Sequence, residues 1–458
     1  MAILAKTVVL ALAVALAASF YQVFVKDLFT VTFGVGRVIQ RIEEFPYDCR
    51  RIVHPRLEAC EDIWLDNEGR TLYAACAGTQ DRLAWNQAMK DVNVTGRRPG
   101  GSELLALDID NPGEDGLFNF RGIKPVGHYI GATGNRDLDL LGFDAEILDD
   151  GTTRFYFVNQ RPPVGPSQAI IDASELGANS TIEIFELKKG WDEMQHIRTI
   201  LSPDIWTPNR VAAIGDKSGA FLVTNDHSVK VGWRRKLDYF IGGGNVAYCS
   251  ASGSCHAAYT GNEERDQTRP SASHDESTFA NLMQKSWKYL APPVALKFPN
   301  GLSRNPTTSH FHVPSAIDGK IRIFSLDPST KKLTLVETVN VGMPLDNISP
   351  DANGDMYAAG FPNLIQSGKG FDDPYGEISP VTIWRVRKRG VEGEGRHKVE
   401  KVIEDKEGKV LSGSTTVRHD VKTGRLFVSG KLCHPKCVLS VEIVANAWAV
   451  FQLQCTRF

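Results

Sequence analysis

The residues best suited to chemistry in this chain are acidic and carboxamide side chains that recur at predicted turns and strand ends. Carboxylate and amide oxygens are the ligands that Ca²⁺ prefers, and a site needs about six to eight of them, some from water. These side chains lie far apart in the sequence, so a single calcium site requires a fold that aims distant strands at one centre. They are Glu61, Asp62, Asn209, Asn225, Asp226, Asn300, Asp346 and Asn347. Taken singly, each is more typical of a turn, as in Asn300-Gly301.

Other catalytic classes lack their sequence motifs. The chain contains no G-x-S-x-G nucleophile elbow, no Walker loop, no H-E-x-x-H motif and no dinucleotide-binding glycine fingerprint, which disfavours a serine hydrolase or an NAD enzyme. The 52 basic and 54 acidic residues give a net charge of −2, without a block of Lys or Arg. We therefore expect no nucleic-acid partner.

An internal repeat indicates which elements position these side chains. A turn rich in Asp, Asn or Gly is followed each time by a short β-rich strand. The clear copies are Asp66–Cys76, Asp149–Asn159, Gly215–Asn225, Asp351–Gly360 and Asp420–Gly430, and a weaker copy is Asn300–Val313. Between the copies lie segments of alternating polarity, such as Thr181–Leu187, which are typical of half-buried antiparallel strands.

Six copies of a roughly four-stranded unit predict an all-β fold, a six-bladed β-propeller. Such a ring allows residues 27–458 to form one hydrolase-like domain, although a length of 458 residues alone suggests about three domains. Two β-sandwiches in tandem are the alternative, but no linker-like boundary supports them. The segment Gly368–Ser379, rich in Gly, Asp and Pro, is predicted to be a surface loop.

Residues 1–26 are predicted to be a signal peptide or a signal-anchor helix. The stretch from Thr7 to Val25 is almost wholly apolar and approaches the length of a membrane span, about 20 residues, while Ala15–Ala17 fits a cleavage site. Either outcome sends the chain into the secretory pathway, secreted or membrane-anchored with the propeller facing the lumen or exterior. Sequons at Asn93 and Asn179 predict glycosylation at the surface.

The cysteines agree with a secreted protein. Their number is eight, and an even number in a secreted chain favours disulfides. Cys249 and Cys255 flank a short Ser/Gly loop and are spaced for local pairing. Cys433 and Cys437 resemble half of a zinc site, but no second half follows at a suitable spacing, so zinc is not expected.

The order of several motifs resembles that of the serum paraoxonase/arylesterase family, over a region from about Cys49 to Cys437. The motifs are Glu61-Asp62 after a cysteine, Thr224–His227, Pro299–Gly301, Leu345–Ser349 and Gly413–Thr415. The family's fold is a six-bladed propeller with calcium in its channel, often with a retained N-terminal apolar helix. The resemblance therefore implies hydrolysis of small-molecule lactones and aryl esters.

The resemblance also implies a ligand set. Carried over position by position, the catalytic calcium would be held by Glu61, Asn209, Asn300, Asp346 and Asn347. In that family calcium polarises the substrate carbonyl and stabilises the developing oxyanion. The family's disulfide between the N-terminal region and the last blade corresponds to Cys49 with Cys437, or alternatively with Cys433.

The chain departs from the family at the residues that transfer protons. The family's His dyad corresponds to Leu141 and Gln160, and neither side chain acts as a base at neutral pH. We therefore predict that a carboxylate at the metal is the base or nucleophile, Asp346 first and Glu61 second. His227 is a further candidate for proton transfer, although a hydrogen-bonding role inside the channel is the simpler expectation.

A second departure concerns the family's structural calcium. One of its Asp ligands corresponds to Asp62, but another position is Arg210, whose guanidinium has no acceptor atom. We hypothesise that Arg210 replaces this cation and pairs with Asp62. Two alternatives to the hydrolase stay open: a catalytically silent calcium-binding propeller that acts as a binding module, and a gluconolactonase- or strictosidine-synthase-like propeller.

Overall fold

The structure is a computed structural model that describes residues 2–167, 169–261, 296–388, 397–431 and 441–445. Strands in the first half of the chain are β1 (Tyr47–Arg51), β2 (Cys60–Asp66), β3 (Thr71–Cys76), β4 (Trp85–Asn86), β5 (Asp91–Val92), β6 (Glu103–Asp108), β7 (Arg121–Val126), β8 (Leu140–Ile147), β9 (Thr153–Asn159), β10 (Thr181–Leu187), β11 (Glu193–Ile200), β12 (Pro208–Ala213) and β13 (Phe221–Asn225). Strands in the second half are β14 (Asn245–Cys249), β15 (Cys255–Tyr259), β16 (Ser303–Arg304), β17 (Phe311–Pro314), β18 (Lys320–Leu326), β19 (Leu333–Asn340), β20 (Leu345–Pro350), β21 (Met356–Gly360), β22 (Val381–Lys388), β23 (His397–Asp405), β24 (Ser414–Asp420), β25 (Arg425–Gly430) and β26 (Val441–Ala445).

The strands form groups of four in which neighbours pair. The orders are β2-β3-β6-β7, β8-β9-β10-β11, β12-β13-β14-β15, β16-β17-β18-β19, β20-β21-β22-β23 and β24-β25-β26-β1, with β4 and β5 as a separate pair. The first two groups are joined into one eight-stranded sheet by a short parallel pairing of β7 with β11.

The first strand of each group belongs to a closed ring. Strand β2 contacts β8 and β24, and the contacts continue around the ring through β12, β16 and β20. This radial arrangement is that of a propeller, so the predicted all-β, propeller-like class is confirmed. Because two groups share one continuous sheet, the count of six separate blades stays a prediction.

The repeated sequence motif forms the turn and second strand of each group. Strands β3, β9, β13, β21 and β25 each end a clear copy, and β17 ends the weaker one. In the turns, the Asp66 carboxylate accepts hydrogen bonds from the backbone N–H groups of Glu68 and Gly69 at 3.1 and 2.8 Å. Asp351 and Asp420 accept equivalent hydrogen bonds from the backbone N–H groups of Asn353 and Lys422, so the aspartate at this position shapes the turn.

Aromatic strand residues fill the space between neighbouring sheets. Tyr156, Phe157 and Phe427 have no exposed side-chain surface. The rings of Tyr73 and Phe155 pack between the first two four-stranded groups at a centroid distance of 5.0 Å. Full burial of such rings contributes about 2–3 kcal/mol each, so the ring of sheets is held mainly by these contacts.

The first strand of the chain pairs with the last described strand. Strand β1 runs antiparallel to β26, with Cys49 opposite Ile443, and completes the last group. Cys49 forms no disulfide with another cysteine in the described ranges. The expected partner Cys437 and the alternative Cys433 lie outside the described residues.

Two disulfides lie within the described part of the chain. The expected local bond joins Cys249 to Cys255. A second bond joins Cys60 to Cys76, which the sequence analysis does not pair. These two residues are paired across β2 and β3, so the bond ties β3 to the ring strand β2.

Helices cover parts of the ring and precede it. They are α1 (Ala2–Phe20), α2 (Thr79–Ala84), α3 (Ala173–Leu176), α4 (Trp233–Ile241) and α5 (Leu364–Asp372). The prediction of a loop over Gly368–Ser379 is therefore wrong for its first part, where α5 continues to Asp372. Within the described ranges, none of the helices combines the length and apolar character that a membrane crossing requires.

Candidate metal centre and cavity

A cavity of about 210 Å³ lies where the ring strands begin. It is lined by side chains from ring strands β2, β8, β12 and β20 and is bordered by residues of α4 and α5. The lining residues are Glu61, Asn86, Ala88, Met89, Leu141, Asn209, Tyr239, Phe298, Asn300, Ala316, Ile317, Asp346, Phe361, Leu364, Gly368, Phe371 and Lys431. Four of the five predicted calcium ligands are therefore brought to one cavity, and the fifth, Asn347, is adjacent to Asp346 in sequence.

Irregular pairing in the ring strands aims these ligands. The register slips at Glu61 in β2, at Asn209-Arg210 in β12 and at Asp346-Asn347 in β20. A β-bulge interrupts the regular ladder and reorients the side chains of the bulged residues, which is common next to binding sites. A bulge in each of these three strands thus turns polar side chains towards one centre.

The turn that carries Asn300 is strained and closely packed. Phe298 has a φ of 46°, a left-handed conformation that costs a bulky residue about 1–3 kcal/mol. A Cβ atom on Gly301 would lie only 2.8 Å from the Cα atom of Asn347. Glycine at this position therefore allows the Asn300 turn to approach the strand that carries Asp346.

Four oxygens of the predicted ligands are buried without a hydrogen-bond donor. They are Oε2 of Glu61, Oδ1 of Asn300, Oδ1 of Asp346 and Oδ1 of Asn347, and none accepts a hydrogen bond from the residues that the structure describes. The amide nitrogen of Asn347 donates to Oγ1 of Thr416 at 2.9 Å, which leaves its oxygen available as a ligand. Buried unpaired oxygens are costly, and this donor set fits a hard cation such as Ca²⁺.

The two carboxyl groups favour a cation as well. Burial raises the pKa of Glu61 to about 7, although the charges of Lys431 and Arg82 lower it. Burial raises the pKa of Asp346 well above its ordinary value, and the negative charge of Glu61 raises it further. A divalent cation would compensate both charges and favour the ionised forms. Among described residues, no three His, Cys, Asp or Glu side chains form a metal site, since the candidate set contains two carboxylates and otherwise amides.

Asp62 and Arg210 lie together beneath this ligand set. Nη2 of Arg210 donates to Oδ1 of Asp62 at 3.0 Å, and Nε lies 2.9 Å from Oδ2. Both side chains are essentially inaccessible, at 1% exposure for Arg210 and 0% for Asp62. Nη1 of Arg210 also donates to the carbonyl oxygen of Ile348 at 2.6 Å, so the guanidinium links β2, β12 and β20.

His227 lies behind the cavity wall and is not one of the lining residues. Its Nδ1 is 2.7 Å from Oδ1 of Asp226, and its ring contacts Phe298 at a centroid distance of 4.7 Å. Burial raises the pKa of Asp226, but the adjacent His227 outweighs this and holds the pKa below its ordinary value. Asp226 in turn accepts a 3.5 Å hydrogen bond from the amide of Asn209, so His227 is placed to orient Asn209 through Asp226. Nε2 of His227 is buried without a hydrogen-bond partner among the described residues, and a role in proton transfer stays a prediction.

The positions of the family's His dyad supply no base. Leu141 lines the cavity with an apolar side chain. Gln160 is buried, and its side-chain oxygen accepts a hydrogen bond from the backbone N–H of Gln87 at 3.1 Å. Among the described lining residues, the carboxylates available as proton acceptors are those of Asp346 and Glu61.

Besides several apolar and aromatic residues, two charged or carboxamide side chains that line the cavity are not among the residues predicted from the sequence. Lys431 follows β25 directly, and Asn86 ends the short strand β4. The position of Lys431 could have been predicted from the repeat, because Phe361 directly follows the equivalent strand β21 in another copy and also lines the cavity. Asn86 had none, since β4 and β5 lie outside the repeated units.

Comparisons with known proteins do not assign a family. No protein-family model matches the chain, and no curated protein matches it. A candidate glucose dehydrogenase from Thermus thermophilus aligns over 87% of this chain and 100% of its own at 16% identity, with a TM-score of 0.43. A luciferin-regenerating enzyme aligns over 88% and 96% at 11% identity, with a TM-score of 0.43. A candidate gluconolactonase aligns over 88% and 95% at 10% identity, with a TM-score of 0.39. Likeness at this level does not distinguish among functions, and the resemblance to paraoxonases stays a prediction from motif order.

Proposed function

We propose that this protein is a calcium-dependent hydrolase that acts on lactones and, secondarily, on aryl esters. The observation that carries the proposal is the group of buried oxygens on Glu61, Asn300, Asp346 and Asn347 that lack hydrogen-bond donors among the described residues beside one cavity. The order of motifs that resembles the paraoxonases supports the same conclusion. The proposal includes entry into the secretory pathway, which the disulfides favour.

Calcium would be held by Glu61, Asn209, Asn300, Asp346 and Asn347. When bound, it would supply Lewis-acid polarisation of the substrate carbonyl. Asp346 accepts a proton from a water molecule, and the water oxygen forms a bond to the carbonyl carbon. The ring C–O bond then breaks as this proton passes to the leaving oxygen, so one lactone and one water become one hydroxy acid. The apolar walls formed by Leu141, Phe361 and their neighbours exclude other water from the carbonyl.

The test is turnover of γ-butyrolactone and phenyl acetate by the full chain, with calcium and after chelation. We expect hydrolysis that requires calcium and that falls about 100- to 10,000-fold in Asp346→Asn, since a positioned base contributes that much. Asp327→Asn, which changes an exposed turn carboxylate, is the matched control and should retain activity. Full turnover by a calcium-bound Asp346→Asn protein would contradict the carboxylate mechanism.

A calcium-binding module without catalysis is the second candidate. The observation that favours it is the replacement of both dyad positions by Leu141 and Gln160, which removes the usual base. Calcium binding by calorimetry, together with no turnover of either substrate by the calcium-loaded protein, would favour this function over the hydrolase.

A further inference from the structure

The cavity contains a cationic side chain that the proposed mechanism does not use. Lys431 is 6% exposed and lines the cavity. Its ammonium makes no ion pair and donates no hydrogen bond within the described part of the chain; the contact it does make is with the face of the Phe371 ring, 5.4 Å from the centroid. An ammonium carries three N–H donors, so a buried lysine in this state has donors available for a ligand.

A second polar side chain in the cavity, that of Asn86, also lacks hydrogen-bond partners within the described part of the chain. Asn86 is fully buried and lines the cavity, and neither atom of its amide has a partner among the described residues. Asn86 and Lys431 both line this one cavity. Burial lowers the pKa of Lys431, and the negative charges of Glu61, Asp91 and Asp346 raise it. Buried polar groups that lack partners are expensive, and a ligand that pairs with both would remove that cost.

The balance of charge indicates the sign of that ligand. The acidic and basic side chains that line the cavity are Glu61, Asp346 and Lys431. A divalent cation held by Glu61 and Asp346 balances those two carboxylates, so Lys431 is left as a positive charge on the cavity wall. Arg82, which is buried and also acts on Glu61, adds a second positive charge, and Asp91, whose negative charge acts on Lys431 from outside the lining, offsets one of these two. An anionic group on the ligand would compensate this excess in a region with little water.

We propose that Lys431 and Asn86 form a carboxylate-binding subsite, and that the preferred substrates are lactones that carry a carboxylate group. The Lys431 ammonium and the Asn86 amide donate hydrogen bonds to this carboxylate, while Met89 and Phe371 contact the apolar ring. Lys431 and Asn86 are specificity residues that hold the far side of the substrate. The substrate class rests on the proposed hydrolase function, but recognition of the carboxylate does not require turnover.

Binding is tested first with a ligand that cannot be hydrolysed. Calorimetry on the calcium-loaded full chain compares cyclopentanecarboxylate with its neutral isostere, cyclopentanecarboxamide. We expect the wild type to prefer the carboxylate and Lys431→Met to bind it about 10- to 100-fold more weakly, the value of a charge-assisted hydrogen bond. Lys431→Arg should retain most of the preference, and Asn86→Leu should lose part of it. Lys230→Met, which removes a lysine outside the cavity, is the control and should bind as the wild type does.

Turnover is then compared for a γ-butyrolactone bearing a ring carboxylate and for its carboxamide analogue. In Lys431→Met, kcat/KM for the carboxylate should fall at least about tenfold through KM, while the value for the carboxamide stays within about twofold. Equal binding of cyclopentanecarboxylate by the wild type and Lys431→Met overturns the inference, as does equal loss for both lactones. Selective binding without turnover of any lactone instead refutes the hydrolase and leaves the carboxylate subsite standing.

Discussion

Replacing Arg210 should separate its role as a fixed cation from ordinary packing. In Arg210→Met the buried Asp62 carboxylate loses the two guanidinium nitrogens that lie 3.0 and 2.9 Å from its oxygens. It keeps the backbone N–H donors of Ile63 and Phe143, both at 2.9 Å. A third donor is the hydroxyl of Thr416, which lies 3.4 Å from Oδ1 of Asp62. Removing one partner of a buried ion pair typically costs about 3–5 kcal/mol, and these three remaining donors favour the lower end, about 3 kcal/mol. The double variant Asp62→Asn/Arg210→Met should recover part of this loss, because no uncompensated charge is left.

The variant Arg210→Asn tests whether the guanidinium stands where a calcium ion would otherwise bind. An asparagine offers an oxygen ligand beside Asp62, so this variant should bind a second calcium ion. At calcium about 100-fold above its dissociation constant, that site would add about 2.7 kcal/mol to the free energy of unfolding. The wild type should bind one calcium ion tightly. Arg235→Asn is the control, because Arg235 is equally buried but donates to the backbone carbonyls of Gln87 and Ala88.

The assay is urea unfolding followed by circular dichroism, with calcium and with a chelator, together with metal analysis after dialysis. Loss of less than about 1 kcal/mol in Arg210→Met would refute the claim that Arg210 compensates a buried charge. Two tightly bound calcium ions in the wild type, or none gained by Arg210→Asn, would refute the claim that it replaces a cation.

Two further predictions concern stability away from the cavity. Burial lowers the pKa of His312 to about 3 from 6.5, so the unfolded chain takes up a proton before the folded chain does as the pH falls. The free energy of unfolding should therefore decline between about pH 6.5 and 3, by up to about 1.4 kcal/mol per pH unit. His312→Phe should flatten this slope in urea unfolding, and an unchanged slope contradicts the assignment. The Cys60–Cys76 bond closes a loop of 16 residues and the Cys249–Cys255 bond a loop of 6. Replacing the first pair by serine should lower the free energy of unfolding by about 3 kcal/mol, and replacing the second pair should lower it by about 2 kcal/mol. The reverse order would show that native packing, not loop closure, determines the loss of stability.

The repeat predicts the ring because each copy contains the turn and the following strand of one four-stranded group. An aspartate in a tight turn and a following apolar strand recur at Asp66, Asp351 and Asp420, and every clear copy forms the second strand of a group. The parallel join between β7 and β11 is not visible in the sequence. It involves the outer edges of two groups, where backbone pairing of a few residues does not depend on side-chain pattern.

The ligand set is predictable for a different reason than the rest of the cavity. Glu61 and Asp346 lie in ring strands whose order along the chain is fixed by the repeat. Lys431 lies just beyond the last copy, in a position that only a comparison of strand ends between copies identifies. Asn86 and α5 come from connections between strands, and their placement depends on tertiary packing that no local period encodes. The predicted loop at Gly368–Ser379 fails there because the glycines suggest a turn, while Asn363 caps a helix by accepting a hydrogen bond from the N–H of Gln366 at 3.0 Å.

Within two adjacent residue pairs, one member faces the cavity and the other holds the ring together, an arrangement that would let the channel exchange the proposed calcium ion without loosening the ring. Glu61 and Asn209 line the cavity, whereas their neighbours Asp62 and Arg210 do not line it and bond to each other between β2 and β12. A cation that belongs to the chain therefore holds the strands together whether or not calcium is bound. The oxygens that face the cavity are therefore not needed to hold the strands together. Loss of calcium should leave the ring folded but leave buried oxygens without donors, which favours rebinding of the ion and keeps it available to a ligand in the cavity.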